Sequence, residues 1–126
     1  MTSAGSAPAP RQLAPCPPTP NCVSTQHGAP AQRLPPLPIT GTAAAALDRV
    51  ERIVRAERGA RVVAREPGYL HAEFRSLVFR FVDDVEFLAD ETAGVVHFRS
   101  ASGVGSSDFG VNRRRMRRIA ARFNGG

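Results

Sequence analysis

A chain of 126 residues, 42% hydrophobic and 22% charged, has room for one buried core and the balance of an ordinary globular protein rather than of a disordered or fibrous one, so a single folded unit is expected. No run approaches the roughly 18 consecutive apolar residues that a membrane span needs. The formal charge of +6 is local: Arg113, Arg114, Arg115, Arg117, Arg118 and Arg122 crowd the C-terminal end, and removing those six from 17 leaves 11 arginines against 11 acids. Every basic residue is arginine, a preference that GC-rich coding accounts for without a functional demand.

Residues 1–40 carry ten of the 11 prolines. Proline fixes φ and removes a backbone donor, so this segment forms neither a helix nor a central strand. An extended, partly disordered, proline-rich tail over 1–40 is expected, without order through Leu13, ahead of a single domain over 41–126. Residues 1–15 contain no hydrophobic signal region, so the chain as written reads as cytoplasmic; a cell-envelope location follows if a start lies upstream.

From Thr42 the spacing of Leu47, Val50 and Val54 predicts an amphipathic helix. Pairs Asp48/Arg52 and Glu51/Arg55 at four-residue spacing support it, with Thr42 or Thr40 as cap and Gly59 as stop. Residues 61–65 then predict a strand, and Glu66-Pro67-Gly68 a tight turn. Residues 69–76 alternate, with Leu70, Ala72 and Phe74 on one side and Tyr69, His71, Glu73 and Arg75 on the other. Residues 81–89 and 95–101, separated by a polar loop, predict a hairpin. After a Gly/Ser loop, Asp108 stands where a helix cap belongs, and Met116, Ile119, Ala120 and Phe123 recur at helical spacing, with Arg114, Arg117 and Arg118 directed to solvent. The expected fold is α+β, a four-stranded antiparallel meander with two helices on one face.

Several blocks in order carry a family resemblance: CPPTPNCVST (16–25), PLPITG (36–41), YLHAEFRSLVFRFVDDVEFL (69–88), HFRSAS (97–102) and SDFGVNRRRM (107–116). In these the chain resembles domain-of-unknown-function family 1499, a group of uncharacterised bacterial and plastid proteins. The resemblance implies a compact domain often attached to export signals or membrane segments, and it brings no established reaction and no agreed catalytic residues.

Cys16 and Cys22 are spaced so that a doubled-back loop bridges them; an oxidising compartment favours a disulfide and the cytosol two thiols. His27, His71 and His97 lack the paired spacing of zinc ligands, so neither a metal nor another cofactor is assigned. On the polar side of the sheet, alternation gathers His71, Glu73, Arg75, Asp84, Glu86, His97 and Arg99. A histidine beside a carboxylate there supports acid/base work, which makes His71, Glu73, Asp84, Glu86 and His97 the catalytic candidates; a solvated face stitched by ion pairs meets the same pattern.

The loop 100–110 resembles an anion cradle, with Arg75, Arg99, Ser102, Ser107, Asp108, Asn112 and Arg113 as candidate ligand-binding residues. The terminal arginines fit an acidic protein or an anionic membrane surface; the neutral remainder of the chain and the lack of an aromatic stacking series argue against nucleic acid. The reading is a non-catalytic binding or assembly module for an anionic ligand or acidic partner. The alternative is a small hydrolase or isomerase using the His/Glu/Asp/Arg cluster, for which no nucleophile is paired with a histidine.

Overall fold

The computed structural model describes residues 12–17, 21–76, 81–102 and 110–125. Tail residues 1–11 and the loop residues Ser107 and Asp108 lie outside the described residues. The elements in chain order are β1 (Cys22–Ser24), a 3-10 turn (Pro30–Gln32), β2 (Leu37–Pro38), α1 (Ala43–Arg55), β3 (Ala60–Glu66), β4 (Tyr69–Arg75), β5 (Val82–Asp90), β6 (Val95–Ser102) and α2 (Val111–Gly125).

Helix α1 starts where Thr42 Oγ1 accepts from the Ala45 N–H at 3.0 Å, satisfying one of the donors a helix start leaves unpaired. Its face of Ala43, Ala46, Leu47, Val50 and Val54 is buried. Glu51 is bound by Arg55 at 2.8 Å and by Arg65 at 2.9 Å, which together hold its carboxyl below the usual carboxylate range, Arg55 contributing most. Asp48 pairs with Arg65 at 3.0 Å and not with Arg52, because β3 brings a cation closer than the next helical turn does. The helix ends at Arg55, short of Gly59. Gly59, at φ +78°, turns the chain into β3 where an added Cβ would stand 2.5 Å from the Arg75 carbonyl oxygen, so the position demands glycine on two counts.

The sheet is antiparallel throughout, in the order β1-β6-β5-β4-β3, with β2 also paired to β6. It has six strands, not the expected four. The additional two come from the proline-rich segment: Cys22–Ser24 pairs with residues 99–101, and Leu37–Pro38 with 95–96. Strands of two and three residues are too short to show alternation, and Pro38 is tolerated because β2 lies at an edge.

Both helices cover one face, α1 over β3 to β6 and α2 over β6, β1 and β2. Leu70, Ala72, Phe74, Val85, Phe87, Val96 and Phe98 meet Leu47, Val50, Val54, Met116, Ile119 and Phe123 in a single core. Each large side chain so buried contributes about 1.5–3 kcal/mol. Phe87 and Phe98, opposite each other in register, pack with centroids 6.4 Å apart. The expected alternation of β4 therefore holds, its apolar row inward.

Leu13, expected to be without order, is instead 2% exposed. It packs on the face away from the helices against Tyr69 and Leu88, and its N–H donates to Gln26 Oε1 at 3.3 Å. Cys16 and Cys22 are joined as a disulfide, Cα atoms 5.7 Å apart, which ties this strap to β1. No helix among the described residues is long and apolar enough to cross a membrane.

Candidate functional site

Register decides which side chains meet on the open face of the sheet. His71 lies opposite Glu86, Glu73 opposite Asp84, Glu86 opposite Arg99 and Leu88 opposite His97. Two of the bonds formed run diagonally: His71 Nε2 meets Asp84 Oδ1 at 2.8 Å, and the Tyr69 hydroxyl donates to Glu86 Oε2. Arg61 donates to Glu73 directly across β3 and β4 at 3.4 Å. His71, Glu73, Asp84 and Glu86 thus share one band, with each of these groups engaged by a neighbour. Burial beneath Leu13, then the bond to Glu86, pushes the Tyr69 hydroxyl far above its ordinary value.

His97 stands apart from that band, near the β5–β6 turn. Its Nδ1 lies 2.9 Å from Thr25 Oγ1, and it lines a groove of about 440 Å³ with Gln26, Asp90 and Glu91, where none of the other four acid/base candidates reaches. Burial lowers its pKa, against an opposing pull from Asp90. Thr25 is 4% exposed and its hydroxyl also accepts from the Phe98 N–H, so it is locked in the β1–β6 edge. Among the described residues no group of three His, Cys, Asp or Glu is placed to hold a metal ion.

The candidate ligand-binding residues separate. Arg75 and Arg99 stand on the open face, Arg99 donating to the Pro15 carbonyl of the strap. Ser102 at the end of β6 and Asn112 in the first turn of α2 meet between the two elements, Asn112 donating to Ser102 at 3.0 Å. Asn112, fully buried, also donates to the Asn21 carbonyl at 3.2 Å and its Oδ1 accepts from Ser100. Sequence reading missed the centre of this network, Arg115. Its guanidinium donates to Asp83 Oδ2 at 2.8 Å, Asn112 Oδ1 at 2.7 Å and Ser100 Oγ at 3.2 Å, and lies 4.7 Å from the centre of the Phe74 ring. The signal was present: 112, 115, 116, 119 and 123 form one helical stripe, which places Arg115 inward where its neighbours in the arginine run point out.

The outer side of α2 is basic. Arg118, expected in solvent, grips Glu57 with bonds of 2.7 and 3.1 Å, and Arg122 approaches the same carboxylate at 3.4 Å. Arg113 donates to two backbone carbonyls, Ala31 at 2.8 Å and Arg33 at 3.3 Å, and among the described residues to no carboxylate. Among the described residues the side chains of Arg33 and Arg117 have no partner. These three arginines rim a groove of about 420 Å³ between α2 and residues 33–35, walled by Leu34, Pro35, Ala120 and Ala121 with Met116 and Phe98 behind. On the far side of α2 a second groove of about 480 Å³ carries Arg49 and Arg52, with Arg49 stacked on Phe123 at 5.2 Å. The helical layer carries an excess of arginine, while the open sheet face mixes Asp84 and Glu86, with Asp90 and Glu91 beside them, and Arg61, Arg75 and Arg99.

A family model described as "Protein of unknown function (DUF1499)" matches residues 12–123. The chain belongs to that family. Neither a curated protein nor a solved structure matches it. The DUF1499 match takes in the strap from residue 12, both cysteines, the two short strands and α2 through Phe123, so it spans every contact described above.

Proposed function

We propose that this DUF1499 domain is a non-catalytic binding or assembly module that takes an anionic ligand or acidic partner on the basic layer formed by α2 and residues 33–35. The observation that carries the proposal is a difference in how charges are spent. On the sheet face, His71, Glu73 and Glu86 are engaged by Asp84, Arg61 and Tyr69. Around the α2 groove, Arg33, Arg113 and Arg117 meet no carboxylate among the described residues. Like charges four apart on a helix repel, so Arg113 and Arg117 cost stability until an anion arrives. A hydrolase or isomerase on the sheet face draws less support, because the hydroxyl bonded to His97, that of Thr25, is buried and fixed to backbone.

Labelled polyglutamate at low ionic strength tests the proposal by fluorescence anisotropy. Binding should weaken steeply with salt and fall by about tenfold in Arg33→Gln/Arg117→Gln, whose fold should be unchanged since neither side chain holds another group among the described residues. Absence of binding at low salt, or equal binding by the double variant, overturns it.

A further inference from the structure

We propose that the α2 groove is a site for a single-chain anionic amphiphile, an alkyl carboxylate whose head sits among Arg33, Arg113 and Arg117 and whose chain lies along Leu34, Pro35, Ala120 and Ala121. The inference rests on the anion-binding reading above and names the ligand class for it.

Three features of the groove select this class. The rim is cationic and partly preorganised: Arg113 is already held by the Ala31 and Arg33 carbonyls, so one guanidinium is ordered before a ligand arrives and retains other N–H groups to offer a carboxylate. The walls are apolar apart from that rim, since Leu34, Pro35, Ala120, Ala121, Met116 and Phe98 present no side-chain polar group that bonds sugar, base or peptide. A purely polar anion would leave those walls unused, and an uncharged hydrocarbon would leave the guanidinium groups unmatched. The size sets the scale of the tail: at about 30 Å³ per water-sized group, a groove of about 420 Å³ accommodates a carboxylate and a chain of about ten carbons.

The wall opposite α2 is fixed in place. Leu34 N–H donates to the Ser24 carbonyl at 3.2 Å and Arg33 bridges to Ser24, so residues 33–35 are carried by β1 and do not depend on the ligand for their position. The second groove, with Arg49 and Arg52, differs in this respect: Arg49 is stacked on Phe123, and among the described residues no carbonyl pair orders its head.

The experiment compares decanoate at monomeric concentrations, decanol and inorganic phosphate, by calorimetric titration and thermal shift, on the full chain. Decanoate should bind at least tenfold more tightly than either control. Arg117→Gln should weaken decanoate about tenfold while leaving the unliganded melting temperature equal or higher, because a like-charge repulsion is relieved. Ala121→Trp fills the groove from an exposed helix position; it should weaken decanoate about tenfold and leave polyglutamate binding in place.

Phosphate or decanol binding as well as decanoate overturns the amphiphile assignment, and so does an Ala121→Trp variant that binds decanoate normally. In each of those cases polyglutamate binding that is lost in Arg33→Gln/Arg117→Gln leaves the broader anion reading standing. If polyglutamate and decanoate both fail to bind, both readings fall.

Discussion

Arg115→Met removes the guanidinium at the centre of the buried network while keeping an unbranched side chain of similar length on the helix. Arg115 and Asp83 are each 7% exposed, so the substitution leaves the Asp83 carboxylate buried without its cation. Breaking one side of a buried pair costs about 3–5 kcal/mol, most of it the uncompensated charge that remains. The lost bonds to Ser100 Oγ and Asn112 Oδ1 matter less, since those two groups stay bonded to each other. Against a total stability of about 5–15 kcal/mol, the variant should melt about 10–25 °C lower. Urea melts followed by far-UV circular dichroism give the free energy directly, with the slope compared between variants to check that the unfolded state is unchanged. The double variant Asp83→Leu/Arg115→Met should recover at least half of the loss, because the stranded charge is gone. A loss below about 1 kcal/mol in the single variant, or no recovery in the double, would refute the account of this network as a desolvated ion pair.

His97 has a lowered pKa, so below the ordinary value of 6.5 the unfolded chain takes up a proton that the folded one refuses; stability should fall as pH drops through that region, and His97→Gln should flatten the difference in urea midpoint between pH 7 and pH 5. Tyr69 is the chain's single tyrosine and there is no tryptophan. Its raised pKa predicts that the 295 nm tyrosinate signal stays absent above the ordinary pKa of 10.0 until the domain unfolds, with stability declining as pH rises past that point because only the unfolded chain loses the proton; a simple titration near 10 in the folded protein would contradict the burial of this hydroxyl. Reducing the Cys16–Cys22 disulfide opens a loop with a sequence separation of 6, and loop-closure entropy makes this worth about 2.4 kcal/mol. The strap should then lift Leu13 from Tyr69, read as a loss of near-UV tyrosine ellipticity on adding reductant that Cys16→Ser/Cys22→Ser reproduces.

The elements with a full repeat were legible in the sequence. The strand at 69–76 followed from period two, and the two helices from the stripes Leu47-Val50-Val54 and Met116-Ile119-Phe123, because burying one face imposes a period on an element long enough to show it; the strands at 61–65, 81–89 and 95–101 followed from their apolar runs and the turns between them. β1 and β2 were not legible, being three and two residues long, and neither was Leu13, a lone apolar residue among prolines whose partner Leu88 sits on the sheet's polar row. Contacts across elements were the harder part. Asp48 had Arg52 one turn away in sequence, yet Arg65 on β3 takes it, and no local spacing carries that information. At the candidate site, alternation put His71, Glu73 and Arg75 on the face away from the helices, but the pairings there depended on register, and the groove depended on residues 33–35 being held beside α2.

That last dependence ties binding to folding on one side of α2 and separates them on the other. The inward stripe reaches β1 through Asn112 and the Asn21 carbonyl, and β1 in turn carries Leu34 and Arg33 through the Ser24 carbonyl and bridge. Any substitution at Asn112 or Arg115 therefore loosens the groove wall along with the core, so a loss of ligand there would say nothing about contact. The outward side chains of Arg33, Arg117 and Ala121 touch none of that chain of bonds, which reaches Arg33 through its backbone alone: all three residues are exposed, and the two guanidinium groups hold nothing else among the described residues. A change in affinity at those positions with the melting temperature preserved is consequently the signature of a ligand surface, and it is the one pattern that a purely structural role for the arginine helix would not produce.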